Sequence, residues 1–132
     1  MRTLMLLVLA IVAVTESRQD KMKEILLKEI IMSVNTILKQ NSKEILNQFV
    51  KDIFPQAGCS EKHLCQAAKV MMHTNLKRTK LHRQLSAYAN NSTHHPCSIP
   101  ATEEHRMKVF LTKIKECSQE QHSKLKNETD VK

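Results

Sequence analysis

Aromatic residues and glycine are scarce in this chain, and their scarcity limits the folds that it can adopt. There is no tryptophan, Gly58 is the single glycine, and the aromatic residues are Tyr88 and three phenylalanines. A β-sandwich or β-barrel needs many tight turns and alternating β-branched runs. Neither feature is present. The composition therefore favours an all-α domain whose core is built from Leu, Ile, Val and Met.

Sequence motifs of catalysis and metal binding are also missing. The chain has no nucleophile motif, no glycine-rich phosphate loop and no paired-carboxylate signal. His63, His94 and His95 lie near Cys65 and Cys97, but no C-x-x-C or H-E-x-x-H spacing of a zinc or redox site occurs. We therefore expect a protein that is not an enzyme, with no cofactor, no bound metal and no nucleic-acid partner.

The N-terminus has the pattern of a secretory signal peptide. Arg2 precedes an unbroken apolar run from Leu4 to Val14, and small polar residues follow. This run is shorter than the roughly 20 apolar residues that a membrane-spanning helix needs. The sequence predicts a signal peptide over residues 1–17 and a single secreted, extracellular domain over residues 18–132.

Four segments of the mature chain carry apolar residues at helical spacing. They predict helices over about 20–40, 60–73, 76–89 and 102–118, followed by a polar tail over 119–132. The connection between the second and third helices is short, and the other two connections are long. Periodicity does not decide whether residues 42–54 form a helix or an extended strand.

The four cysteines of such a small secreted chain predict two disulfide bonds. In a helix over 60–73, Cys59 and Cys65 lie about 9 Å apart along the axis, whereas bonded cysteines have Cα atoms within about 7 Å. The length of the fourth helix disfavours a Cys97–Cys117 bond in the same way. Two connectivities stay open: Cys59–Cys117 with Cys65–Cys97, or the crossed pair. Either one ties the second helix to the fourth helix and to the loop before it.

Four stretches of the sequence resemble the interleukin-4/interleukin-13 cytokines, with the combined interleukin-4/13 form as the nearest resemblance. They look like helix A, the A–B segment, helix B and helix D of that family, and they read LKEIIMSVNTIL (27–38), VKDIF (50–54), LCQAAKVM (64–71) and KVFLTKIK (108–115). The resemblance implies a short-chain, left-handed four-helix bundle with up-up-down-down topology and two long crossovers. It also implies a Cys65–Cys97 bond, which leaves Cys59–Cys117 as the second bond.

Members of this family act in type 2 immune regulation by bridging two type I cytokine receptor chains, and the resemblance implies the same for this chain, acting as a monomer. The residues that bind the receptor α-chain match Glu29 in LKEII and Arg83 in LHRQL, and Lys80 lies one turn before Arg83. The residues that bind the second receptor chain match Gln119 and His122, where a better-known member has arginine and tyrosine. Without the resemblance, Glu29 and Arg83 read as solvated charges on helix faces.

Two further features of the sequence concern its surface. Sequons predict N-glycosylation at Asn90, Asn91 and Asn127. The formal net charge of +8 and the cluster KRTKLHR (77–83) support an alternative function, a basic secreted effector that binds heparan-type glycosaminoglycans or anionic membranes. A disulfide-bonded bundle buries its apolar faces, so we expect no membrane insertion.

Overall fold

The computed structural model describes the backbone of residues 2–40, 43–92 and 97–130 and the side chains of residues 21–40, 43–91 and 97–125. Within these ranges the chain is mostly helical, as its composition predicts, with a single pair of short antiparallel strands. In chain order the elements are α1 (Arg2–Gln40), α2 (Lys43–Leu46), β1 (Phe49–Lys51), α3 (Glu61–Met71), α4 (Lys80–Ser92), β2 (Glu104–Arg106) and α5 (Met107–Asp130).

The four longer helices enclose a core of aliphatic and aromatic side chains. α1 packs against α4 and α5, and α3 packs against the same two helices, an arrangement compatible with a helical bundle. Residues at helical spacing turn inward from each helix because burial removes their apolar surface from water. The most completely buried side chains are Leu27, Ile30, Val34, Leu64, Met71, Leu81, Leu85, Tyr88, Met107, Phe110, Leu111 and Ile114.

α1 ends at Gln40, where the sequence predicts its end, but it begins at Arg2 and not at residue 20. Residues 2–40 contain neither glycine nor proline, and the leucine, methionine and alanine residues in the segment favour helix. Nothing in the local sequence therefore interrupts the helix near residue 20. The signal peptide over residues 1–17 stays a prediction.

α4 begins at Lys80 and not at residue 76, because residues 76–79 form tight turns. The Thr79 hydroxyl donates to the carbonyl of Leu76 at 2.7 Å and accepts the backbone N–H of His82 at 3.3 Å, which caps the new helix. Arg78 has a φ of 68°, which an α-helix does not accommodate. At its other end α4 continues to Ser92, beyond the predicted end at residue 89.

α5 begins at Met107 and not at residue 102, because the residues before it form a strand. β2 pairs with β1 in antiparallel register, with Val50 opposite His105. The backbone N–H of Met107 donates to the carbonyl of Gln48, so the helix starts directly from this ribbon. The 42–54 segment, for which the sequence left helix and strand open, contains both: a one-turn helix, α2, followed by a three-residue strand, β1. Residue 42 lies outside the described residues.

The predicted end of the fourth helix at residue 118 is wrong, because α5 continues to Asp130 and most of the polar tail predicted over 119–132 is helical. Two polar side chains extend its buried face. Ser118 Oγ donates to the carbonyl of Ile114 at 2.7 Å, and Gln121 Nε2 donates to the carbonyl of Cys59 at 2.9 Å. Because these two buried side chains both have hydrogen-bond partners, they can be buried without the cost of unpaired polar groups.

The two disulfide bonds join Cys59 to Cys117 and Cys65 to Cys97, with Cα–Cα distances of 5.7 and 6.2 Å. These are the pairs that the resemblance implies. They close separations of 58 and 32 residues, and each is worth about 4 kcal/mol in the loop-entropy model. Because domains of this kind have net stabilities of about 5–15 kcal/mol, the two bonds supply a large part of the stability.

Over the described residues, no helix combines enough length with enough apolar character to cross a membrane.

Candidate functional site

A partly buried polar contact links α1 and α4 beside their apolar packing. Ser33 Oγ on α1 donates to Oε1 of Gln84 on α4 at 2.7 Å, and Gln84 is only 6% exposed. Because a buried side-chain amide is costly to leave unpaired, this contact fixes which faces of the two helices meet. It provides a reference point for the charged residues on either side of it.

The sequence-predicted residues of the first receptor site lie around this contact. Glu29 precedes Ser33 by four residues and Lys80 precedes Gln84 by four residues, so each shares a helix face with its neighbour. Arg83 immediately precedes Gln84. All three charged side chains are exposed.

Two contacts of Glu61 show the relative direction of α1 and α4. Glu61 Oε1 lies 3.5 Å from Lys23 Nζ, near the middle of α1, and accepts a hydrogen bond from the Tyr88 hydroxyl, late in α4, at 3.4 Å. Lys23 precedes Ser33 in α1 whereas Tyr88 follows Gln84 in α4, so the two helices run in opposite directions. Glu29 and Arg83 consequently lie on opposite sides of the Ser33–Gln84 contact, separated along the helix axes by about 7 Å. One binding partner can reach both residues.

Glu29 lies in a stripe of exposed apolar side chains on α1. Met22, Ile25 and Met32 are 49%, 46% and 67% exposed, and with Glu29 they follow the spacing i, i+3, i+7 and i+10 of one helix face. Half of the exposed large apolar side chains among the described residues lie on this stripe. Single exposed apolar residues are ordinary, but a row of them marks a surface suited to a partner.

The charges on this surface are not neutralised by any ion pair among the residues that the structure describes. Among the described residues, the ion pairs are Lys23–Glu61, Lys28–Glu24, His105–Asp52, Lys113–Asp52, His122–Glu24 and Lys124–Glu120. Glu29, Lys80 and Arg83 take part in none of them. Their charges are therefore available to an external partner without breaking an internal ion pair.

The residues predicted to bind the second receptor chain lie near each other on α5. Gln119 is exposed, whereas His122 is partly buried, with Nε2 lying 3.7 Å from Oε1 of Glu24 on α1. His122 is thus turned toward α1, and its contact with Glu24 places both residues at the contact between α1 and α5. A surface that includes Gln119 would therefore include residues of α1 as well.

The apolar stripe of α1 was not predicted as part of the site. Met22, Ile25 and Met32 were candidates for neither core nor binding, although their spacing relative to Glu29 is visible in the sequence. A helical projection centred on Glu29, compared with the core positions Leu26, Leu27 and Ile30, would have placed them outside the buried face.

Two of the predicted glycosylation residues are in helix and not in the loop where the sequence places them. Asn90 and Asn91 are exposed in the last turn of α4. The side chain of Asn127 lies outside the described residues. Over the part of the chain whose side chains are described, no group of three His, Cys, Asp or Glu residues could hold a metal ion.

No protein-family model matches the chain, and no curated protein matches its sequence at a significant level.

Proposed function

We propose that this chain is a secreted cytokine of the interleukin-4/interleukin-13 type that bridges two type I cytokine receptor chains. The observation that carries the proposal is the α1–α4 surface. It places Glu29, surrounded by exposed apolar side chains, about 7 Å along the bundle from Arg83. Neither charge is paired within the described part of the chain.

The chemistry of this surface suits a small number of strong contacts with the receptor α-chain. Met22, Ile25 and Met32 can exclude water around Glu29 once a partner covers them. A charge pair formed in such surroundings is poorly screened, so truncating one member costs several kcal/mol, much of it from the charge left buried without a partner. Lys80, one turn before Arg83, supplies a second cation on the same side of α4.

The proposal includes the up-up-down-down arrangement with two long crossovers. Supporting contacts come from the region around the start of α3, where Glu61 pairs with Lys23 from the middle of α1. Tyr88, late in α4, contacts Glu61, and Gln121 of α5 contacts Cys59 just before α3. The two long connections also pair with each other as β1 and β2, as expected if both pass along the length of the bundle.

The second receptor chain, in this proposal, binds the side of the bundle formed by α1 and α5. Gln119 offers an exposed amide there, and His122 lies beside Glu24. The first and second chains would then share α1 but contact opposite flanks of it, so that both can bind one monomer at the same time.

Receptor binding by surface plasmon resonance tests the proposal. The protein, expressed from the full chain in eukaryotic cells, is passed over an immobilised interleukin-4/13-type receptor α-chain ectodomain from the same organism. We expect submicromolar binding, and Glu29→Ala or Arg83→Ala should weaken it at least tenfold, or about 1.4 kcal/mol. Two matched controls should change the affinity little. Glu116→Ala removes an exposed negative charge from α5, as a control for Glu29→Ala, and Lys62→Ala removes an exposed positive charge from α3, as a control for Arg83→Ala.

Circular dichroism must first show that all five proteins are equally helical. If the folded wild type does not bind, or if the control variants weaken binding as much as Glu29→Ala and Arg83→Ala, the proposed receptor surface is wrong.

A further inference from the structure

Acidic residues are distributed unevenly over this molecule. Between Glu61 and Glu103 the sequence contains no aspartate or glutamate. This stretch holds nearly all of α3 and the whole of α4, which pack against each other. The carboxylate side chains are instead carried by α1, α2, α5, the long connections and the first residue of α3. This stretch of the sequence is therefore cationic and supplies no carboxylate of its own to offset the charge.

The positive charge of this part is concentrated in residues 77–83, which we name the basic segment. Lys77, Arg78, Lys80 and Arg83 are all exposed. None of them forms an ion pair with any residue that the structure describes. Four free cations within seven positions produce a strongly positive local potential, which attracts polyanions.

The backbone of the basic segment is held in place by hydrogen bonds and by one buried anchor. Leu76, just before it, is 4% exposed. Thr79 caps α4, and the backbone N–H of Arg78 donates to Nδ1 of His82 at 3.2 Å. Arg78 keeps its left-handed conformation, with φ of 68°, between these contacts. Because the backbone is already ordered, a ligand that binds these cations has less conformational entropy to remove.

The composition of the segment selects among classes of anionic ligand. Its apolar residue Leu81 is 1% exposed, so the segment offers no side chain to insert into a lipid surface. It contains no phenylalanine, tyrosine or tryptophan on which a nucleobase could stack. What it offers is a set of closely spaced, exposed cations, which suits a polymer with repeated, permanently ionised anionic groups.

We propose that the basic segment is a binding site for sulfated glycosaminoglycans. Lys77 and Arg78 are its distinguishing residues, because they lie outside the surface proposed for the receptor. The inference does not rest on receptor binding, and it would hold for this chain with or without a receptor partner.

Binding to immobilised heparin, measured by surface plasmon resonance over a series of salt concentrations, tests the site. The variant is Lys77→Ala combined with Arg78→Asn, since asparagine adopts the left-handed conformation more readily than most residues and therefore removes the charge with little backbone strain. The control is Lys21→Ala with Lys28→Ala, which removes two exposed cations from α1 and gives the same net charge. We expect the variant to lose heparin affinity by on the order of tenfold and the control by much less.

Three outcomes would overturn the proposal. The first is an equal loss of affinity in the variant and the control, which would mean that heparin responds to net charge alone. The second is elution of the wild type from heparin at no higher salt than from a sulfopropyl resin. The third is stronger binding to phosphatidylserine vesicles than to heparin, which would assign the segment to membranes. Should the double variant fail to fold, Lys77→Gln alone replaces it, because that exposed side chain takes part in none of the ion pairs among the described residues.

Discussion

The backbone N–H of Ser60 donates to Nδ1 of His63 at 2.9 Å, at the first turn of α3. Burial, and to a smaller extent the charge of neighbouring Lys62, lowers the pKa of His63 below its ordinary value of 6.5. The neutral imidazole is the form that accepts this hydrogen bond, because a protonated Nδ1 has no lone pair to offer. The cap of α3 is therefore linked to the protonation of His63.

We predict that this link makes part of the stability depend on pH. Because folding lowers the pKa, the unfolded state binds the proton more readily, so the stabilisation is complete above pH 6.5 and is lost as the pH falls through the folded-state pKa. His63→Gln keeps a side-chain acceptor at the same position of the helix and does not titrate. Urea unfolding between pH 4 and 8 should show a smaller acid-side loss in this variant than in the wild type. An identical pH dependence in both proteins would contradict the prediction.

The hydrogen bond from Gln121 to the carbonyl of Cys59 predicts that the end of α5 contributes to stability. Gln121→Ala should lower the free energy of unfolding by about 1–3 kcal/mol, because it leaves a carbonyl without its partner and opens a small cavity. Gln119→Ala, two positions away and exposed, is the control and should change it by less than about 0.5 kcal/mol. Equal values for the two variants would mean that α5 frays before residue 121.

The disulfide bonds predict a large loss of stability on removal. Replacing both Cys59 and Cys117 by alanine should lower the free energy of unfolding by about 4 kcal/mol, since the bond closes a long loop in the unfolded chain. Removing Cys65 and Cys97 should cost nearly as much, because loop entropy changes slowly with length. Urea denaturation measures both losses, after non-reducing peptide mapping has verified the remaining bond. A loss below about 1 kcal/mol for either pair would show that the unfolded chain is constrained by other means.

Asp52 anchors the β1–β2 ribbon to α5, and its removal should loosen that connection. Its Oδ2 accepts from Lys113 Nζ at 3.0 Å and lies 3.3 Å from His105 Nε2. Asp52→Asn removes the charge with little change of shape, so it should destabilise the protein by about 1–3 kcal/mol. Amide hydrogen exchange should then increase in β1 and β2 more than in the middle of α1. Unchanged exchange in the ribbon would show that strand pairing alone holds it.

The parts of the fold that the sequence predicts well are those with a strong local signal. The end of α1 at Gln40 follows from its apolar periodicity, and α3, at Glu61–Met71, lies within the predicted range of 60–73, where Ser60 marks its start. The helical class follows from the shortage of glycine and aromatic residues. In each case the residues that decide the structure are close together in the chain.

The parts of the fold that the sequence predicts poorly depend on contacts between residues that are far apart in the chain or on an unusual backbone conformation. β1 and β2 are three residues each, which is too short for an alternating pattern to be recognised, and all three residues of β2 are exposed. The end of α5 looks polar because the partner of Gln121 is the carbonyl of Cys59, far away in the sequence. The start of α4 depends on the left-handed backbone of Arg78, which a non-glycine residue rarely adopts.

The candidate site also has one part that the sequence predicts and one part that only the structure reveals. Glu29 and Arg83 were identified through the resemblance to a family, because a charge on a helix face carries no local signal of binding. Their proximity depends on the packing of α1 against α4 around Ser33 and Gln84. The exposure of Met22, Ile25 and Met32 became evident only from the positions of the neighbouring helices.

The central claim, that one molecule bridges two receptor chains, is tested most directly by the mass of the complex in solution. The protein is mixed with the α-chain ectodomain and a second type I receptor ectodomain, and the mixture is separated by size-exclusion chromatography with light scattering. We predict a complex containing one copy of each component, which the Glu29→Ala/Arg83→Ala variant fails to form. A folded wild type that forms no complex with both ectodomains, or a variant that forms it as well as the wild type does, would contradict the claim.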